Sequence, residues 1–103
     1  MSASDPREVL EETAADHPRA SARAEGAETV WQVGATPFVV LLGKTAEFHL
    51  RPEMVSAALR TPGTRTSTRG AEWVAFEAPD EPERYDVDRM RAWFEMAARL
   101  VGG

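Results

Sequence analysis

The chain has 103 residues, a net charge of −5 and no cysteine. That length suits one domain around one hydrophobic core, and the lack of cysteine excludes disulfides and thiolate metal sites. An acidic chain repels a phosphate backbone at long range, so a nucleic-acid role would have to rest on a local basic region.

Asp5-Pro6-Arg7-Glu8 reads as a helix start, with Asp5 as the cap and proline at the first helical position. The helix is expected to reach about Asp16, because Pro18 pushes His17 out of helical geometry. His17 is read as a solvated helix-end histidine. Residues 18–29 show no clear period and are expected to form a connector to the sheet.

The stretch Val30–Arg51 organises the chain. It contains three apolar runs separated by Gly34-Ala35 and Gly43-Lys44, turns short enough to force antiparallel hairpins. Thr29–Val33 is the first predicted strand. Thr36–Leu42 is the second; its run Phe38-Val39-Val40-Leu41-Leu42 predicts a central strand buried on both faces. Thr45–Arg51 alternates, with Ala46, Phe48 and Leu50 inward and Glu47, His49 and Arg51 on a polar face.

Pro52 starts a second helix with Met54, Val55, Ala58 and Leu59 as its buried stripe, and Thr61-Pro62-Gly63 ends it. The polar segment 64–70 reads as an edge strand or exposed loop. Glu72–Ala78 is a strand apolar on both faces. The last helix is expected to begin at Asp86 or Asp88, with Val87, Met90, Trp93, Phe94, Ala97, Leu100 and Val101 at helical spacing. The order is α-β-β-β-α-β-β-α: an α+β fold with an antiparallel sheet covered by helices on one face. The predicted core holds Trp31, Phe38, Val40, Leu42, Phe48, Leu50, Val55, Leu59, Trp73, Phe76, Met90, Phe94 and Ala97. One domain, 1–103, is expected, with a helix and connector over 1–28 and the α+β core over 29–101.

Charge is unevenly distributed. Residues 1–28 carry three Arg against seven acids, residues 29–70 five Lys/Arg against two Glu, and residues 71–103 four Arg against eight acids. The basic middle nominates Lys44, Arg51, Arg60, Arg65 and Arg69 as contacts for nucleic acid or another anionic partner. Arg65 and Arg69 fall on one side of an extended segment, and reversing both charges is expected to leave the fold intact. Acidic ends and a basic middle also permit head-to-tail self-association. Trp31, Trp73 and Trp93 are the candidates for a small-molecule pocket between sheet and helices.

No nucleophile elbow, phosphate-binding loop or dinucleotide fingerprint appears. No paired-histidine metal motif appears, and no catalytic residues or cofactor are expected. No secretory leader and no apolar run approaching the roughly 20 residues of a membrane helix can be read, so a cytoplasmic protein without a membrane partner is expected.

Several residue groups in this order carry a resemblance. They are Trp31-Gln32-Val33-Gly34, then Phe38 and an apolar strand, then Phe48-His49-Leu50-Arg51-Pro52-Glu53. Thr61-Pro62-Gly63, Gly70-Ala71-Glu72-Trp73-Val74 and a closing helix over 86–101 follow. In these features the chain resembles the MmcQ/YjbR-like family, and its closing helix is also similar to that of TfoX N-terminal-like domains. The resemblance implies an α-β(3)-α-β(2)-α fold similar to secretion chaperones. Family members are often labelled DNA-binding by structural analogy, and the resemblance implies no catalytic residues. From the residues themselves, the expected function is protein interaction or homodimerisation, with DNA binding and small-molecule sequestration as alternatives.

Overall fold

A computed structural model describes residues 5–102. Along the chain run α1 (Pro6–Ala14), β1 (Ala20–Glu25), β2 (Glu28–Val33), β3 (Thr36–Leu42), β4 (Thr45–His49), α2 (Pro52–Ala58), β5 (Thr64–Thr66), β6 (Trp73–Glu77) and α3 (Arg84–Gly102). The fold is α+β. Its six strands form one antiparallel sheet in the order β1-β2-β3-β4-β6-β5.

The expected connector is not a loop: residues 20–25 form β1, so the sheet has one strand more than the sequence reading gave. Three hairpins join β1 to β4, through Gly26-Ala27, Gly34-Ala35 and Gly43-Lys44. In each, the glycine has φ near +60° (64°, 61° and 62°) at the first turn position, where a two-residue type II′ hairpin takes glycine. The third signal was missed because Ala-Ser-Ala-Arg-Ala-Glu has neither the β-branched residues nor the apolar alternation that mark a strand.

β3 is central, as its apolar run predicts, with β2 and β4 on either side. Opposite the Trp31–Gln32 step it holds one extra residue, Phe38, between Pro37 and Val39. This bulge lets Phe38 and Val39 both enter the helix-side core, while Pro37 sits where the ladder is interrupted. Leu42 is the exception to the buried run, being 49% exposed at the strand end.

All three helices contribute to the core on one side of the sheet. α3 crosses β2, β3 and β4 and packs against α1, while α2 lies by β6. Phe94 sits at the middle, with ring centroids 5.1 Å from Phe38 and 6.1 Å from Trp31, both edge-on. Trp93 packs on Phe48 and Phe76 at 5.6 and 5.5 Å. Of the predicted core, Leu42 is exposed, Leu59 and Trp73 are half-buried, and Val40 is buried on the opposite face.

The helix ends follow local chemistry. Asp5 caps α1 by accepting the Arg7 N–H at 3.0 Å. α3 starts at Arg84, earlier than either expected aspartate. Asp86 lies inside its first turn and reaches back to accept the Glu83 N–H at 2.8 Å, as the acidic half of a capping box does. His17 is not a solvated end group: its ring lies 5.8 Å from Phe94, and its Nε2 is buried without a hydrogen-bond partner.

Candidate functional site

Helices leave the other sheet face uncovered. Register places Arg23 and Glu25 of β1, Glu28, Val30 and Gln32 of β2, Val40 of β3, Glu47 and His49 of β4, and Trp73 and Ala75 of β6 on this face. Val30, Val40 and Ala75 are nonetheless almost fully buried, at 3%, 2% and 1% exposure. Polar residues flank them on this face, and the segment after β5 is bonded to Glu47 and Glu28 on the same face.

Ser67 to Glu72 fold back over the face and are tied down at three points. Ser67 donates to Glu47 Oε2 at 2.9 Å. Arg69 bonds Glu47 through its Nε and Glu28 through Nη2, the latter at 3.0 Å. Glu72 meets His49 Nε2 at 3.2 Å, and His49 stacks on Trp73 with centroids 5.2 Å apart and planes 13° from parallel. The Arg69 guanidinium carbon also lies 5.8 Å from the Trp73 ring centre. Desolvation works against the Arg69 charge. Glu47 and then Glu28 more than offset it, and the pKa of Arg69 is raised above its ordinary value. Between these groups lies a depression of about 250 Å³ floored by Val30, Val40 and Pro37.

The sequence nominated five basic residues, and three are already paired with acids. Lys44 bonds Asp80, Arg65 lies 3.7 Å from Glu77, and Arg69 bridges Glu28 and Glu47. Arg65 and Arg69 do not share one side of an extended segment, because β5 ends at Thr66 and Arg69 lies in the turn beyond it. Both meet acids of the same fold, so reversing their charges sets acid against Glu77, Glu28 and Glu47 and does not leave the fold undisturbed. Arg51 and Arg60, exposed at the two ends of α2, have no carboxylate partner among the described residues. Hydrogen bonding and the charge of Lys44 hold the Asp80 carboxyl below its ordinary pKa.

The three tryptophans do not share a cavity. Trp31 and Trp93 are buried in the helix-side core, and Trp73 belongs to the opposite face. A surface groove of about 700 Å³ lies elsewhere, near Lys44, Glu77, Asp80 and Tyr85. Among the described residues, no three His, Asp or Glu side chains are grouped to hold a metal ion. No helix among them is long and apolar enough to cross a membrane.

The two sheet edges differ. β5 has three residues, follows Pro62-Gly63, and leads into the tied-down Ser67–Glu72 segment. Shortness and an adjoining cover are usual protections of an edge. β1 has six residues, pairs with β2 in unbroken register, and contains no proline, lysine or bulge. Ala20 is half-buried and its other five residues are exposed.

The two-residue turn at Gly26-Ala27 makes Glu25 and Glu28 the closing pair. Antiparallel hydrogen bonding alternates, so Ser21, Arg23 and Glu25 bond toward β2. The N–H and C=O groups of Ala22 and Ala24 point to the side of β1 on which no strand pairs among the described residues. Ala20, in the same phase, donates its N–H to His17 O at 2.9 Å. Arg23 holds Glu25 Oε1 at 2.9 Å and Gln32 Oε1 at 2.9 Å on the open face. None of β1 was a candidate from sequence. Gly26-Ala27 between Glu25 and Glu28 was the signal that could have found it. The chain matches no family model, no curated protein and no solved structure.

Proposed function

We propose that this protein is a protein-interaction module that binds an extended segment of a partner by strand addition at the β1 edge. The observation that carries this reading is the exposed, regular edge of β1, with the backbone groups of Ala22 and Ala24 directed away from β2. Main-chain hydrogen bonds of an added strand supply affinity in this binding mode, and alternate side chains supply specificity. At β1 the alternate positions are small on the helix side (Ala20, Ala22, Ala24) and polar or charged on the open side (Ser21, Arg23, Glu25), so a bulky incoming backbone meets little steric resistance.

The five nominated basic residues support phosphate binding less well, because Lys44, Arg65 and Arg69 are each engaged by a carboxylate. Sequestration of a small molecule among the tryptophans is likewise less well supported, since they lie on two faces of the sheet.

Amide hydrogen exchange in dilute monomer tests the reading. Ala22 and Ala24 should exchange far faster than Ser21 and Arg23, whose amides bond to β2. Equal protection at all four positions would mean that the edge is already occupied, and would overturn the reading.

A further inference from the structure

We infer that the strand added at this edge is β1 of a second copy of this chain, antiparallel and centred on Ala24, extending the sheet across a two-fold axis. This inference rests on the strand-addition reading above and names its partner.

Charge and register together select the partner and its alignment. A two-fold antiparallel pairing of β1 with itself places one residue directly opposite its own copy. The outward backbone groups belong to Ala22 and Ala24, so three registers are available. Centring between them sets Arg23 directly opposite Arg23 of the second copy, and like charges directly opposed destabilise a strand pair. Centring on Ala22 sets Arg23 opposite Ser21 and Glu25 opposite Arg19, whose guanidinium already bonds Gly102 O at 3.3 Å.

Centring on Ala24 sets Arg23 opposite Glu25 of the second copy, and Glu25 opposite its Arg23. These fall at a non-hydrogen-bonded pair, where side chains are closest. Both residues already share the open face and meet within the chain at 2.9 Å. The dimer therefore builds an alternating cluster of two guanidinium and two carboxylate groups. Ala24 meets Ala24, and Ala22 meets Gly26, so nothing bulky lies between the backbones. A contact limited to one strand edge falls in the small, transient class of interface, so the dimer should form only in concentrated solution and weaken with salt.

Single cysteines test the register in a chain that otherwise has none. With Ala24 at the centre, its two copies lie about 5.5 Å apart, within the range a disulfide spans. Two copies of Ala22 lie about 13 Å apart, four residues out of step. Ala24→Cys should give a covalent dimer under mild oxidation in concentrated solution, and Ala22→Cys should not. Cross-linking at Ala22 alone, or at neither position, would overturn the inference.

Charge exchange gives a second readout by sedimentation, free of any cross-link. Arg23→Glu should abolish the concentration-dependent dimer, and Arg23→Glu with Glu25→Arg together should restore it. A dimer indifferent to the single change would overturn the inference. A wild-type chain that stays monomeric at high concentration, with the Ala22 and Ala24 amides still exchanging fast, would also overturn the second copy as partner. It would leave the open edge for another strand. Protected amides in the monomer would instead overturn the underlying reading.

Discussion

Arg69→Ala should destabilise the fold by about 2 kcal/mol, while Arg65→Ala should cost about 0.5 kcal/mol or less. The two arginines are alike in sequence and differ in surroundings. Arg65 is 58% exposed and meets Glu77 at 3.7 Å. Arg69 is 33% exposed and bridges Glu47 and Glu28, themselves 19% and 31% exposed. After solvent screening, each of its two charge-assisted contacts contributes about 0.5–1 kcal/mol. Arg69 also lines the same depression as Val30 and Val40, so its removal opens that apolar floor to water, at about 25 cal/mol per Å² re-exposed. Truncation further leaves two carboxylates facing each other without their shared cation. Urea unfolding of the two variants measures the difference, and a Tm loss of about 10 °C should accompany the Arg69 change. A double-mutant cycle with Glu47→Gln should return a coupling of about 1 kcal/mol. Equal, small losses for Arg65→Ala and Arg69→Ala would refute the view that Ser67–Glu72 is fastened to the sheet by Arg69.

Phe38→Ala removes a fully buried ring edge-on to Phe94 and should cost about 3–5 kcal/mol by denaturant unfolding; a variant that melts like the parent would place Phe38 outside the core. Gly26→Ala would meet no atom within 4 Å, so its cost is backbone strain at φ +64°, about 1–2 kcal/mol. Thermal melts should show that loss. Asp80 titrates below an ordinary carboxyl because of Lys44. A depressed folded-state pKa contributes stability that is present above the unfolded value, about 3.9, and is lost as pH falls through the folded value. Lys44→Gln should therefore raise the Asp80 pKa seen by NMR, and any stability difference from the parent should vanish in strong acid.

Much of the α+β fold was legible in the sequence, where residue chemistry and period agree. β3 announced itself through five consecutive apolar residues, and two hairpins through Gly-X pairs. α3 was marked by a long helical stripe, although its start was misplaced because Asp86 acts from inside the first turn. β1 was hidden because its residues are chosen for an edge. Small and polar side chains carry no burial signal, and its pairing with β2 is long-range information that no local period expresses. The same reason obscured the site. Sequence could show that residues 29–70 hold an excess of basic residues. It could not show that Glu28, Glu47, Glu77 and Asp80 meet three of them across the sheet and its turns. Trp73 looked like a core residue beside Trp31 and Trp93, because an apolar strand does not state which face each residue takes until its register is fixed.

Amide chemical shifts followed by NMR from dilute to concentrated solution test the β1 edge most directly as the place where this protein meets another strand. The shifts should change first and most across Ala22–Gly26, with Arg51, Arg60 and β5 unmoved. Changes centred on Arg51 and Arg60 or on the face around Trp73, with β1 silent, would contradict the account.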